Sequence, residues 1–282
     1  MGLLVSHVNR CVDEATPPRI TPSVNQCTPI SGILLSTMLT AVNLVPIVIA
    51  IAIGSFMKGV TGFGFALMVS PILLLLLPPE TAIPLIALLV LLNEIALLIT
   101  LRRDIHLKHM GPVLFSALLG VPLGVLVFSF EGHLVPSVMA VVLILITISL
   151  WRGHSLKKTS PATRAAVGFI GGLMHGIATI GSPFVVLLLE AEHTRRKVFR
   201  ANLILYTTLM TILAVLLHTY RGLYTPDLLL TVAILTPVAL AATWLGDRIE
   251  HKMNRKLFDH VVLGVVFVAS LIILIRSLVA IV

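Results

Sequence analysis

Charge is scarce in this chain: Asp, Glu, Lys and Arg together make 11% of 282 residues, against about twice that in an ordinary soluble domain. Aromatics are equally sparse at 6%, and only two cysteines occur, Cys11 and Cys27. Both lie in the polar leader and could pair outside the cell, but two cysteines alone establish no disulfide framework. No Walker-type Gly-Lys-Ser/Thr run is present, nor H-E-x-x-H, nor G-x-S-x-G, which removes the sequence basis for a built-in ATPase, a zinc protease or a serine hydrolase. What fills the space is apolar sequence, with a hydrophobic fraction of 57% and a mean hydropathy of +1.07. The chain reads as an all-α polytopic membrane protein. Its net charge of +8 sits in short loops between apolar runs, where membrane topology accounts for it better than nucleic-acid binding does.

Glycine is not scarce, and it recurs in a pattern. Ile53 to Gly64 reads I-G-S-F-M-K-G-V-T-G-F-G, and Ile170 to Gly181 reads I-G-G-L-M-H-G-I-A-T-I-G. At an offset of 117 the two share Ile, Gly54/Gly171, Met57/Met174, Gly59/Gly176 and Gly64/Gly181. Half the chain therefore repeats the other half. Paired interruptions of apolar segments at matching places point to a binding site between two repeats, as in secondary transporters.

A helical span takes roughly 20 apolar residues. Six simple spans are expected near residues 83–101, 111–130, 133–151, 201–219, 227–245 and 257–280, with the two glycine-bearing segments, 31–78 and 165–189, as broken or re-entrant hairpins. Four loops, 102–109, 152–164, 190–200 and 246–257, hold fifteen of the twenty Lys and Arg residues and are expected to be cytoplasmic. Every simple span then joins an inside loop to an outside one, whereas residues 165–189 enter and leave on the cytoplasmic face. Under the 117 offset a cytoplasmic loop maps onto an outward one, so the repeats are expected to be inverted, with the hairpin tips meeting near the midplane. The expected organisation is a polar tail over 1–29, disordered or an artefact of an upstream start; repeat 1 over 30–151; a basic linker over 152–164; and repeat 2 over 165–282. Each repeat is a hairpin plus three transmembrane helices.

Lys58 is the one lysine deep in an apolar run, where an unpaired charge costs on the order of 3 kcal/mol. It suits an anion, or serves as the structural partner of Glu94, the one carboxylate in the middle of a simple span. Glu94 is in turn a proton carrier or a counter-ion. His175 takes the matching place in repeat 2, as an oxyanion donor, a proton carrier or a packing residue. Thr61, Gly62, Gly64, Thr179, Gly181 and Ser182 bring hydroxyls and unshielded N–H groups to the breaks, where a half-helix N-terminus favours an anion. The competing reading is that the glycines only allow close helix crossing. Asn93, Asn202 and Tyr206 are further candidates for the cavity, or bridges between helices. No metal or cofactor is expected, and the expected partners are a small inorganic or organic anion and the bilayer.

The run from Gly54 to Phe65, the Val69 to Leu74 stretch V-S-P-I-L-L, the weaker second copy and the basic loops resemble the sulfite exporter family, TauE/SafE, over about residues 40–280. The resemblance implies a bacterial inner-membrane transporter that exports small sulfur-containing anions such as sulfite or sulfonates. An anion channel, a small-carboxylate transporter and, last, an intramembrane enzyme pairing Ser182 with His175 are the alternatives. The chain departs from the family pattern in its leader and at Ala239, which stands where an offset of 115, set by Pro122 and Pro237, would match Gly124.

Overall fold

The apolar runs form helices, and no strand occurs among the described residues of the computed structural model. These are residues 41–106, 110–130, 160–191 and 196–250, with isolated helical positions between 140 and 148 and between 264 and 275. The helices are α1 (Ala41–Thr61), α2 (Phe65–Leu76), α3 (Pro79–Leu101), α4 (Gly111–Phe130), α5 (Pro161–Ala178), α6 (Ser182–Ala191), α7 (Arg196–Tyr220) and α8 (Pro226–Ile249). Five of them, α1, α3, α4, α7 and α8, are long and apolar enough to cross a bilayer, as a multi-pass membrane protein requires. The tail over 1–29 with its cysteines, and most of the spans expected at 133–151 and 257–280, lie outside the described residues.

Both glycine segments are broken helices. The first pair is α1 and α2, parted at Gly62–Gly64, and the second is α5 and α6, parted at Thr179–Gly181. The second hairpin begins earlier than its apolar run suggested. Ser160 accepts the Thr163 N–H at 3.1 Å and Pro161 stands in the first turn, so the last four residues of the expected linker are helical. Helix likewise extends into two of the basic loops, since α7 starts at Arg196 and α8 runs to Ile249.

Close backbone approach decides how the helices pair. In α5, Gly168, Gly172 and Gly176 lie against Val113, Ala117 and Val121 of α4, while Gly120 and Gly124 face Phe169 and Leu173 in return. A Cβ on Gly176 would come within 2.2 Å of the Val121 carbonyl oxygen, so nothing larger than glycine fits. The order of these contacts makes α4 and α5 parallel. Similarly α1 runs parallel to α8, with Gly59 against Thr243 and Gly246. Gly124 on Gly176 therefore has its counterpart in Gly246 on Gly59. Ala239 is not the equivalent of Gly124, because the packing glycine of α8 lies seven residues, two helical turns, further on. Leu97 and Leu101 at the end of α3 cluster with Ala201 and Ile204 at the start of α7, so these two helices run in opposite directions.

Candidate functional site

The break after α1 is made by local geometry. Gly62 and Gly64 have φ of 85° and 97°, in the left-handed region where a side chain costs energy. Between them the chain is pinned by Thr61, whose hydroxyl oxygen accepts the Phe63 N–H at 3.2 Å and lies within donating distance of the Met57 and Phe63 carbonyls. Thr61 thus closes the turn, and its hydroxyl is committed to backbone. In the second hairpin Thr179 itself is left-handed at φ 61°, and its N–H reaches the His175 carbonyl at 2.7 Å. The Gly62 N–H reaches the Lys58 carbonyl at 2.8 Å in the same way. Gly62 and Thr179 are 117 apart, as are Lys58 and His175, so each break follows one turn after its polar residue. Gly64 packs on the Met57 side chain and Gly181 on the Gly171 carbonyl, so both close the hairpins upon themselves. Ser182 is half-buried at the start of α6, with Pro183 beside it in the first turn, where its missing N–H costs nothing.

Lys58 and Glu94 form an ion pair. Nζ donates to Oε1 at 2.7 Å, with side-chain exposures of 4% and 0%, so neither end reaches solvent to be neutralised there. The second carboxylate oxygen, Oε2, has no partner among the described residues. Beside the pair, Asn93 donates to Ser55 Oγ at 3.3 Å and accepts from the Thr243 hydroxyl at 3.0 Å. Asn93 therefore ties α1, α3 and α8 together and holds Lys58 in register with Glu94.

In the second half of the chain His175 Nε2 lies 3.0 Å from Thr211 Oγ1. The offset of 117 that relates Lys58 to His175 also carries Glu94 onto Thr211, and both pairs span 36 residues. Thr211 has one hydroxyl hydrogen, and the Thr207 carbonyl accepts it at 2.8 Å. The hydrogen between His175 and Thr211 is then the imidazole's, on Nε2. A neutral His175 keeps its Nδ1 lone pair bare, and that atom is buried without a partner among the described residues.

The two breaks do not meet. Gly62 abuts Arg200 near the start of α7, whereas His175 meets Thr211 eleven residues later on that helix, about 16 Å at 1.5 Å per residue. Helix α5 runs with α7, Gly171 against Tyr206 and then His175 against Thr211, so the second break is farther still. The hairpins pass one another because each packs lengthwise on a helix of the other half. What lies between the breaks is the polar pair one turn before each.

Over residues 47–273 the sequence matches the family described as sulfite exporter TauE/SafE. The chain belongs to that family. It is 25% identical over 222 residues, 75% of this chain and 86% of the relative, to a protein of Cupriavidus necator named "Probable sulfite/organosulfonate exporter TauE". No solved structure matches the chain. TauE/SafE is a family of transporters and not of enzymes.

Three more side chains of this TauE/SafE chain have defined places. Asn202 accepts the His106 N–H and donates to the His106 carbonyl, both at 2.9 Å, so it fastens the segment after α3. The Tyr206 hydroxyl lies against Gly171 with no hydrogen-bond partner among the described residues. Arg200, which sequence places among loop cations, is buried one turn into α7. Its guanidinium donates to Glu250, to Asp247 at 2.8 Å and to the Gly59 carbonyl at 2.6 Å, clasping the ends of α1, α7 and α8 behind the first break. Ser55, Thr243, Thr211 and this clasp escaped sequence reasoning. Only Thr211 had a usable signal, its distance of 117 from Glu94.

Proposed function

We propose that the chain is a secondary transporter that exports a small sulfur-containing anion, sulfite or an organosulfonate, by alternating access between two inverted repeats in the bacterial cytoplasmic membrane. The observation that carries the reading is the matched pairing of Lys58 with Glu94 and of His175 with Thr211 at one sequence offset. The direction of packing agrees, since α1 lies parallel to α8 and α5 parallel to α4, each hairpin on a helix of the other half. The basic loops 102–109, 152–164, 190–200 and 246–257 face the cytoplasm, and the Arg200 clasp closes that end.

The charges suggest how an anion is handled. At rest Lys58 is neutralised by Glu94, so an anion gains its full attraction only when it displaces the carboxylate or when Glu94 takes a proton. His175 offers an arriving anion no N–H on its bare Nδ1 until that nitrogen is protonated. A proton on either residue therefore strengthens the site for the anion, and the membrane potential adds about 2.3 kcal/mol per unit of negative charge leaving at 100 mV. Efflux of sulfite, sulfonates and carboxylates from proteoliposomes tests the reading, with wild type set against Lys58→Ala and His175→Ala. Saturable sulfite or sulfonate flux that falls at least tenfold in both variants is expected. Flux untouched by either substitution, or absent in the wild type, would sink it.

A further inference from the structure

His218 is fully buried near the end of α7, and neither ring nitrogen has a hydrogen-bond partner among the described residues. A histidine kept only for packing would leave these nitrogens desolvated at about 1–3 kcal/mol each. Its surroundings are not those of an inert core. The ring meets Phe128 edge-on, centroids 6.0 Å apart, and the exposed Arg221 guanidinium, in the turn just past the end of α7, lies 5.9 Å from the centre of that same Phe128 ring. Two more buried polar atoms approach the same end of the hairpin without partners among the described residues: His175 Nδ1 and the Thr179 hydroxyl. His175 faces Thr211, and seven residues, two turns, bring His218 onto the same face of α7. With α5 and α7 running together, Thr179 falls at the level between Thr211 and His218.

We infer that His218, with the Thr179 hydroxyl beneath it and Arg221 at its mouth, forms a second station for a small oxyanion, separate from the Lys58 site and nearer the face opposite the Arg200 clasp. The inference rests on the anion-transport reading and adds to it a place where the anion waits before release. A neutral imidazole N–H and a threonine hydroxyl donate to sulfonate oxygens, and Arg221 supplies the charge that draws the anion outward. The chain's polar groups then form a ladder: Lys58, His175, Thr179, His218, Arg221.

Binding of 35S-labelled methanesulfonate to the purified full-length protein tests the station. We expect two separable components, of which His218→Leu abolishes one and Lys58→Met the other, while His218→Asn, which keeps a donor and an acceptor, retains both. The component that His218→Leu keeps reports that this variant is folded. Should it fail to fold, Arg221→Gln at the exposed mouth reads the same station, with several-fold weaker binding of one component only. A single component in wild type, or both components intact in His218→Leu or Arg221→Gln, overturns the inference. Vesicle flux separates the two proposals: two components without flux would refute transport and leave the station, and flux with one component would do the reverse.

Discussion

Replacing Lys58 by methionine leaves the Glu94 carboxylate fully buried in α3 with neither oxygen paired among the described residues. Removing one partner of a buried ion pair costs about 3–5 kcal/mol, because the remaining charge is stranded, whereas replacing both by apolar groups is often close to neutral. Lys58→Met and Glu94→Leu are each expected to destabilise the protein by about 3 kcal/mol or more, with the double variant within about 2 kcal/mol of wild type. Equilibrium unfolding in mixed micelles, driven by rising dodecyl sulfate and followed by far-ultraviolet circular dichroism, measures all four corners of the cycle. Transport is expected to move differently. The double variant regains stability but has no cation at the first station, so its flux stays at the level of Lys58→Met. Single effects that simply add would refute the claim that these charges sustain each other, and flux recovered in the double variant would refute a role for the ammonium in the transport path.

Two other substitutions probe the breaks and their support. Gly62→Ala is expected to cost about 1–2 kcal/mol in the same unfolding assay from its φ of 85°, since its added Cβ would stand 3.4 Å from the Arg200 side chain and clash with nothing. Thr179→Gly, at the matching left-handed position, should lose no stability, and a neutral Gly62→Ala would refute the conformational account. Arg200→Ala removes the buried guanidinium shared by Glu250, Asp247 and the Gly59 carbonyl and should cost about 3 kcal/mol, against less than about 1 kcal/mol for Arg248→Ala, which removes only an exposed guanidinium 4.4 Å from the Trp244 ring. Equal melting temperatures for the two arginine variants would count against the clasp.

The helices were legible because apolar runs of this length have few alternatives, and the hairpins because glycine interrupts them twice at one spacing. The same spacing located Lys58 and His175. It also reached Thr211, which stayed hidden because a carboxylate and a hydroxyl share no letter even when they serve the same position. Arg200 was illegible for a different reason. In sequence it ends a basic run, R-R-K-V-F-R, that reads as loop, and its burial is decided by Asp247 and Glu250 on a helix nearly fifty residues away. A local pattern cannot report whether a cation will find its counter-ion. The bridging role of Asn202 is illegible on similar grounds, since its amide is held at both ends by the backbone of His106, ninety-six residues away.

Gly246 shows where periodicity stops being informative. Pro122 and Pro237 align the later helices at 115, and that register sends Gly124 to Ala239. The contacts pair Gly124 with Gly176 and Gly246 with Gly59, a register longer by seven residues. Seven residues are nearly two full turns, so sliding a helix by that amount presents almost the same face about 10 Å further along its axis. Every rule based on which face is apolar is blind to such a slide. Only a residue that must meet something specific can resolve it, and Gly246 does, because a Cβ there would sit 2.2 Å from the Phe56 carbonyl. That contact brings the end of α8, and with it Asp247 and Glu250, level with Arg200 and the first break. In the register read from the prolines α8 would slide about 10 Å along its axis, and the clasp would have no acids to hold.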